Sequence, residues 1–303
     1  MTDKDLVTRF ESYLLTERRV ASNTFEAYKK DVEQLVSFLN MHQKQVATAA
    51  ASDLKDFLKF LKYEGVTART MSRKISCFKT FFSYLYDHHE VPNAAEQLIF
   101  PKLERKLPHH LSEEDIQILF KQASKETSVT GIRNKVMLYL LYVSGARISE
   151  IVNLKLSNLD FSSRFMIVPG KGSKERMVPV HQRMLAVLQE YLEHIFPLLT
   201  LKAGQKMHTD FLFPTYYNKQ LRPMTRQLFW IYLKKITLES GIKKNLSPHT
   251  LRHSLATHLL KNGADLRSLQ LLLGHEQLST VQIYTHVDTS HLRKIYDDKH
   301  PRS

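Results

Sequence analysis

The chain has 303 residues, 43% of them hydrophobic and 24% charged, with a formal net charge of +14. Length and composition are ordinary for a soluble globular protein of two domains. No run approaches the roughly 18 apolar residues of a membrane span, and Met1-Thr2-Asp3-Lys4-Asp5 lacks the basic-then-apolar layout of a signal peptide. The expectation is therefore a cytoplasmic protein without a membrane partner. The charge is uneven: residues 1–106 carry 17 Lys and Arg against 14 Asp and Glu, and residues 107–303 carry 27 against 16. Such an excess suits a polyanion, because neutralised phosphates release counterions.

Residues 1–98 read as helices. Leu6, Phe10, Tyr13 and Leu14 recur at three-to-four spacing, and Ser22-Asn23 offers an N-cap before Tyr28, Val32, Leu35, Val36 and Leu39. A third segment runs from Leu54 to Tyr63 and stops at Gly65. A fourth, Thr67 to His88, carries Ile75, Phe78, Phe81, Phe82 and Leu85. Its first turns hold Arg69, Arg73, Lys74 and Lys79, which suggests a basic face for DNA, although most surface helices carry lysines. Cys77, the only cysteine, lies among apolar helical positions and reads as a buried small hydrophobe.

Residues 101–110, with Pro101 and Pro108 around four charges, read as an inter-domain linker. Ser112 then caps a helix with Glu113, Glu114 and Asp115 in its first turn, where the helix dipole favours carboxylates. Arg133 to Ser144 is apolar enough for a buried helix. Phe165–Pro169 and Arg176–Val180 read as strands around the glycine-containing turn 170–175. That turn is no P-loop, since GxxxxGK[ST] is absent and no helix follows. Residues 184–196 and 226–240 read as further helices.

Several residues suggest phosphodiester chemistry, which needs charge stabilisation, a nucleophile and a proton for the leaving oxygen. Arg147 follows a glycine break, and Glu150 lies three residues on, where it could hold the guanidinium; a plain surface ion pair is the simpler alternative. Ser247 can cap and Pro248 suits the first helical position of a helix ending at Gly263. His249 and Arg252 would then stand together at its anion-binding end. Lys171 at the hairpin tip could donate a proton or simply touch phosphate. His275, after a helix ending near Gly274, could donate to phosphate. Leu278-Ser279-Thr280 offers a cap for a short helix to about His286 carrying Tyr284. Tyrosine is a weak nucleophile at its pKa of ~10, and surrounding cations would favour its ionised form.

Arg147, Lys171, His249, Arg252, His275 and Tyr284, in that order, resemble the active-site set of the tyrosine recombinase (phage integrase-type) family. Leu251-Arg252-His253, Leu272-Leu273-Gly274-His275 and Ile283-Tyr284-Thr285-His286-Val287 are most similar to the bacterial Xer recombinases, and the segment 170–176 is similar to the family's lysine hairpin. The resemblance implies a mainly α protein. A helical core-binding domain (1–100) and a catalytic domain (111–303), mostly α with a small antiparallel sheet, would form a C-shaped DNA clamp.

It implies that Tyr284 attacks the scissile phosphate to form a 3′-phosphotyrosyl link. Arg147 and Arg252 hold the non-bridging oxygens with His275, Lys171 is the acid and His249 assists. Glu150 supports, and Arg69, Arg73, Lys74 and Lys174 contact DNA. No cofactor or metal is required, because the link stores the bond energy. The implied partners are duplex DNA, further copies or a paralogue in a tetramer, a tail (291–303) docked on a neighbour, and an FtsK-type translocase acting in chromosome dimer resolution. A mobile-element or plasmid-resolving recombinase, a type IB topoisomerase and a catalytically silent DNA binder are the alternatives.

Overall fold

The computed structural model describes residues 1–102, 110–169, 175–202, 205–273 and Lys299. The linker core 103–109, the hairpin tip with Lys171 and Lys174, and the segment bearing His275 and Tyr284 lie outside the described residues. The chain forms two compact units, Met1–Lys106 and Leu107–Ser303.

The first unit is built from α1 (Asp3–Thr16), α2 (Ser22–Met41), α3 (Ala51–Tyr63) and α4 (Ala68–His89). Each helix turns one apolar stripe inward: Leu6, Phe10 and Leu14; Val32, Leu35 and Leu39; Leu54, Phe57 and Leu61; Ile75, Phe78, Phe81, Phe82 and Leu85. Phe10 meets Phe81 edge-on at 4.9 Å, so aromatic packing joins α1 to α4. Thr67 caps α4 by accepting the Thr70 amide. Ser22 is not a cap, contrary to expectation: it is the first helical residue, and the cap position is Ala21, which has no side-chain acceptor. Cys77 is fully buried, and burial pushes its thiol pKa up.

Lys74, expected on a DNA-facing surface, is 5% exposed. Its ammonium donates to Asp31 Oδ1 at 2.8 Å and to Gln34 Oε1 at 2.6 Å. Helical periodicity explains the correction. Lys74 adjoins Ile75 and falls one turn before Phe78, so it points inward and needs a buried carboxylate. Arg73 also pairs with Asp31 and donates to Ala27 O at 3.3 Å, whereas Arg69 is exposed.

In the second unit α5 (Glu113–Ala123), α6 (Val129–Ser144) and α7 (Ile148–Val152) precede a three-stranded antiparallel sheet. Its strands are β1 (Leu159–Asp160), β2 (Phe165–Pro169) and β3 (Glu175–Pro179). Ser112 caps α5 in a reciprocal box with Asp115. Helix α6 is apolar nearly all round and forms the centre of the core, as a helix must when other elements pack on every side.

After α8 (Gln182–Glu190) the expected single helix widens into a π turn, Tyr191–Ile195, before α9 (Phe196–Thr200). Pro197 has no amide to continue the ladder, which accounts for the irregularity. Hairpins β4 (Leu201–Lys202) with β5 (Gln205–Lys206) and β6 (Pro214–Tyr217) with β7 (Gln220–Pro223) add to the expected sheet. Then come α10 (Arg226–Glu239), α11 (Pro248–Lys261) and α12 (Leu266–Leu273). Among the described residues no helix is long and apolar enough to cross a membrane.

Candidate active site

Helix α6 ends at Gly145, whose φ of +58° is the left-handed conformation that glycine adopts without strain. A Cβ there would also lie 2.8 Å from Leu273 Cδ2 and 2.9 Å from Leu255 Cδ2. Glycine therefore lets α11 and α12 approach this turn. The chain then places Arg147 at the start of α7. The Arg147 amide donates to Glu150 Oε2 at 2.7 Å and its Nη1 to Glu150 Oε1 at 2.9 Å, the pairing expected from their spacing.

Glu150 is buried, and its other partner was not foreseen. Arg176 Nη1 donates to Oε1 at 3.0 Å and Nη2 to Oε2 at 2.8 Å, a two-pronged match of guanidinium to carboxylate. A signal existed in the strand pattern. Arg176 pairs across the sheet with Val168, and its parity is that of Val178, which is buried, so its side chain faces the core. Burial alone pushes the Glu150 carboxyl up; the Arg176 fork and the Arg147 amide and guanidinium outweigh it and hold the group below the usual carboxylate value.

On α11 the cap is as expected: Ser247 accepts the Thr250 amide, and Pro248 is the first helical residue. His249 and Arg252 part company here. His249 is exposed, at an open cleft of about 510 Å³ lined also by Ile148, Thr225, Arg226, Gln227, Trp230 and Pro248. Arg252 is 8% exposed and turns toward Arg147's loop, donating from Nη1 to Gly145 O at 2.6 Å and from Nη2 to Leu273 O. Burial lowers its pKa to about 10, helped by the nearby charges of Arg147 and Arg176 and opposed by Glu150. It stays cationic at neutral pH.

Two guanidiniums, Arg147 and Arg176, thus share the Glu150 carboxylate, and the Arg252 guanidinium lies close enough to feel all three charges. Among the described residues these three cations have one carboxylate beside them, and water screens a group as buried as Arg252 poorly, so the cluster favours an anion. The segment holding α11 is itself anchored. His258 Nε2 donates to Leu111 O at 2.9 Å, Tyr142 Oη donates to His258 Nδ1 at 2.9 Å, and the Leu111 amide donates to Ser254 Oγ at 2.8 Å. Among the described residues no group of His, Cys, Asp and Glu could hold a metal ion.

A helical unit and a mixed unit whose buried guanidinium cluster suits an anion define a class that comparison with known proteins makes specific. The phage integrase family model matches residues 109–291, and the phage integrase N-terminal SAM-like domain matches residues 7–89. The chain belongs to the phage integrase family and is a tyrosine-type site-specific DNA recombinase.

It is similar to tyrosine recombinase XerD of Listeria monocytogenes serotype 4b (strain F2365), 40% identical over 302 residues and 99% of each chain. Tyrosine recombinase XerD of Yersinia pestis is 39% identical over 305 residues, again 99% of each. In fold it resembles XerH site-specific recombinase bound to difH substrate in a pre-cleavage complex (TM-score 0.68, 22% identity, 97% of this chain and 84% of that one). It also resembles a lambda integrase dimer bound to a COC′ core site (TM-score 0.68, 17% identity, 100% of this chain and 98% of that one).

Proposed function

We propose that this chain cuts and rejoins duplex DNA at a chromosome-terminus site through a phosphotyrosyl link, and so resolves chromosome dimers at cell division. The observation that carries the reading is the approach of Arg147, held by the buried Glu150, and Arg252, held by the Gly145 carbonyl, from separate helices to one place where their charges act on each other, an arrangement suited to a scissile phosphate. The full-length similarity to proteins named XerD supports the chromosomal role.

Tyr284 Oη attacks phosphorus, the bond to the 5′ oxygen breaks, and a 3′-phosphotyrosyl link remains. Arg147 and Arg252 stabilise the non-bridging oxygens as charge builds on them, with His275 contributing a further donor. Lys171 gives its proton to the departing 5′ oxygen, and His249, exposed at the cleft, assists proton transfer. A 5′-hydroxyl from a partner duplex reverses the step, so the energy of the broken bond is kept in the link. Lys174, Arg69 and the outer part of Arg73 contact DNA phosphates. Four protomers, identical or shared with a paralogue, act on two sites; a relative's structure, the lambda integrase tetramer bound to a Holliday junction, supports this assembly. Residues 291–303 couple neighbours, and an FtsK-type translocase activates the complex.

A nicked suicide duplex carrying the host's terminus site tests the reading. Wild type should form a protein–DNA adduct on a denaturing gel, and Tyr284→Phe should bind the duplex without forming one. An adduct that survives in Tyr284→Phe would mean another nucleophile. Activity only on mobile-element sites would remove the chromosomal role.

A further inference from the structure

Arg176 and Glu150 form a buried pair whose other bonds lead outward to the site. A buried ion pair is poor evidence of a purely stabilising role, since apolar residues of the same volume often serve as well. Its geometry suggests another use. The guanidinium is a rigid plane, and its two prongs set the plane of the Glu150 carboxylate. With that plane set, Oε2 faces the Arg147 amide and Oε1 faces the Arg147 guanidinium.

The Nε of Arg176 makes a longer bond, 3.4 Å, to Leu272 O in the last turn of α12, beside the Leu273 carbonyl that Arg252 takes. Arg176 itself stands on β3, five residues after Lys171 in the sequence. One side chain therefore connects β3, the Glu150–Arg147 pair of α7, and the end of α12. Arg147 is 40% exposed at its side chain while Arg176 is 7% exposed, so the outer guanidinium is oriented from behind by an inner one.

We propose that Arg176 is a positioning residue for strand cleavage: it orients Glu150, Glu150 orients Arg147, and Arg147 meets the scissile phosphate. The inference rests on the recombinase reading of this site. Losing the fork leaves Arg147 charged but free to swing, and a misplacement on the order of 1 Å costs about a hundredfold in rate.

The test compares wild type, Arg176→Lys and Arg176→Met on the nicked terminus-site duplex, reading the single-turnover rate of adduct formation. The scissile position carries either an ordinary phosphate or a neutral methylphosphonate, which has one charged oxygen fewer to stabilise. Arg176→Met should slow cleavage of the ordinary phosphate by about ten- to a hundredfold, with duplex affinity unchanged. Its defect should shrink on the methylphosphonate, because less is asked of Arg147 there. Arg176→Lys keeps the charge without the fork and should fall between the two. It also serves as the readout if Arg176→Met fails to fold, as judged by thermal melting. Equal slowing on both substrates, or none on either, would make Arg176 a structural residue only and overturn the inference. A wild type that binds the duplex yet forms no adduct would overturn the recombinase reading itself, and this inference with it.

Discussion

Each unit builds an ion cluster on a single buried carboxylate, and the two clusters differ in where the extra charge sits. In the first unit Asp31 takes Lys74 and Arg73, and the surplus rests on Arg73, 39% exposed at its side chain, where water screens it. In the second unit Glu150 takes Arg147 and Arg176, and Arg252 stands near, donating to the backbone carbonyls of Gly145 and Leu273. Its surplus is 8% exposed. The first cluster is complete as folded and acts as a clasp between α2 and α4. Among the described residues the second has more cations than carboxylates in a place solvent barely reaches, which is the electrostatic condition of an anion site.

The comparison breaks most sharply at the carboxylates. Asp31→Asn and Glu150→Gln should each destabilise by about 3–5 kcal/mol, because each leaves buried cations uncompensated. Only Glu150→Gln should also slow adduct formation per folded molecule. Chemical denaturation and single-turnover cleavage on the same preparations would show it, and an equal catalytic loss in Asp31→Asn would erase the distinction.

Arg252→Ala comes next. Cleavage should fall by about 100- to 1000-fold, the usual cost of removing one donor to developing negative charge. A loss confined to stability would return Arg252 to a structural role.

Two glycines sharpen the contrast further. Gly65 in the first unit has φ +77° and nothing within 4 Å of a Cβ, whereas Gly145 has φ +58° and two leucine methyls under 3 Å away. Gly65→Ala should cost about 1–2 kcal/mol from conformation alone. Gly145→Ala should add about 1–3 kcal/mol of overpacking to that. Similar melting temperatures for the two variants would mean that α11 and α12 do not depend on the close approach.

The smallest effect concerns pH. Burial holds the His258 pKa below its ordinary value of 6.5; Glu113 favours the charged form, while Lys261 and His110 oppose it. As pH falls below the ordinary histidine value the unfolded chain takes up protons that the folded chain refuses, so stability declines with falling pH from there. His258→Gln should flatten this part of the melting-temperature profile. A wild-type profile that stays flat as pH falls below the ordinary histidine value would show that the group is not held neutral by the fold.

Much of the architecture was legible in advance because it is local. Periodicity marked the helices of both units; Ser112, Thr67, Ser247 and Pro248 marked starts; and Arg147 with Glu150 three residues on was readable as a pair. Ser22 misled because a hydroxyl near a helix start is common and only the backbone decides which residue caps. The π turn at Tyr191 and the hairpins at 201–206 and 214–223 went unread, since short strands and a proline-perturbed turn carry weak periodic signals. Lys74 reads as a surface cation by residue type alone, but its helical phase against Ile75 and Phe78 turns it inward to Asp31.

By itself the sequence determined the two-part organisation, the period of each helix, the basic bias of residues 107–303 and the family to which the chain belongs, all of which depend on neighbours along the chain or on residue identity. Only the tertiary structure decided that Lys74 is spent inside the first unit, that Arg176 turns to Glu150, and that Arg252 reaches past its own helix to Gly145 and Leu273. These contacts join segments far apart in the chain, and a buried charge accepts whichever partner the packing of apolar faces brings within hydrogen-bond reach.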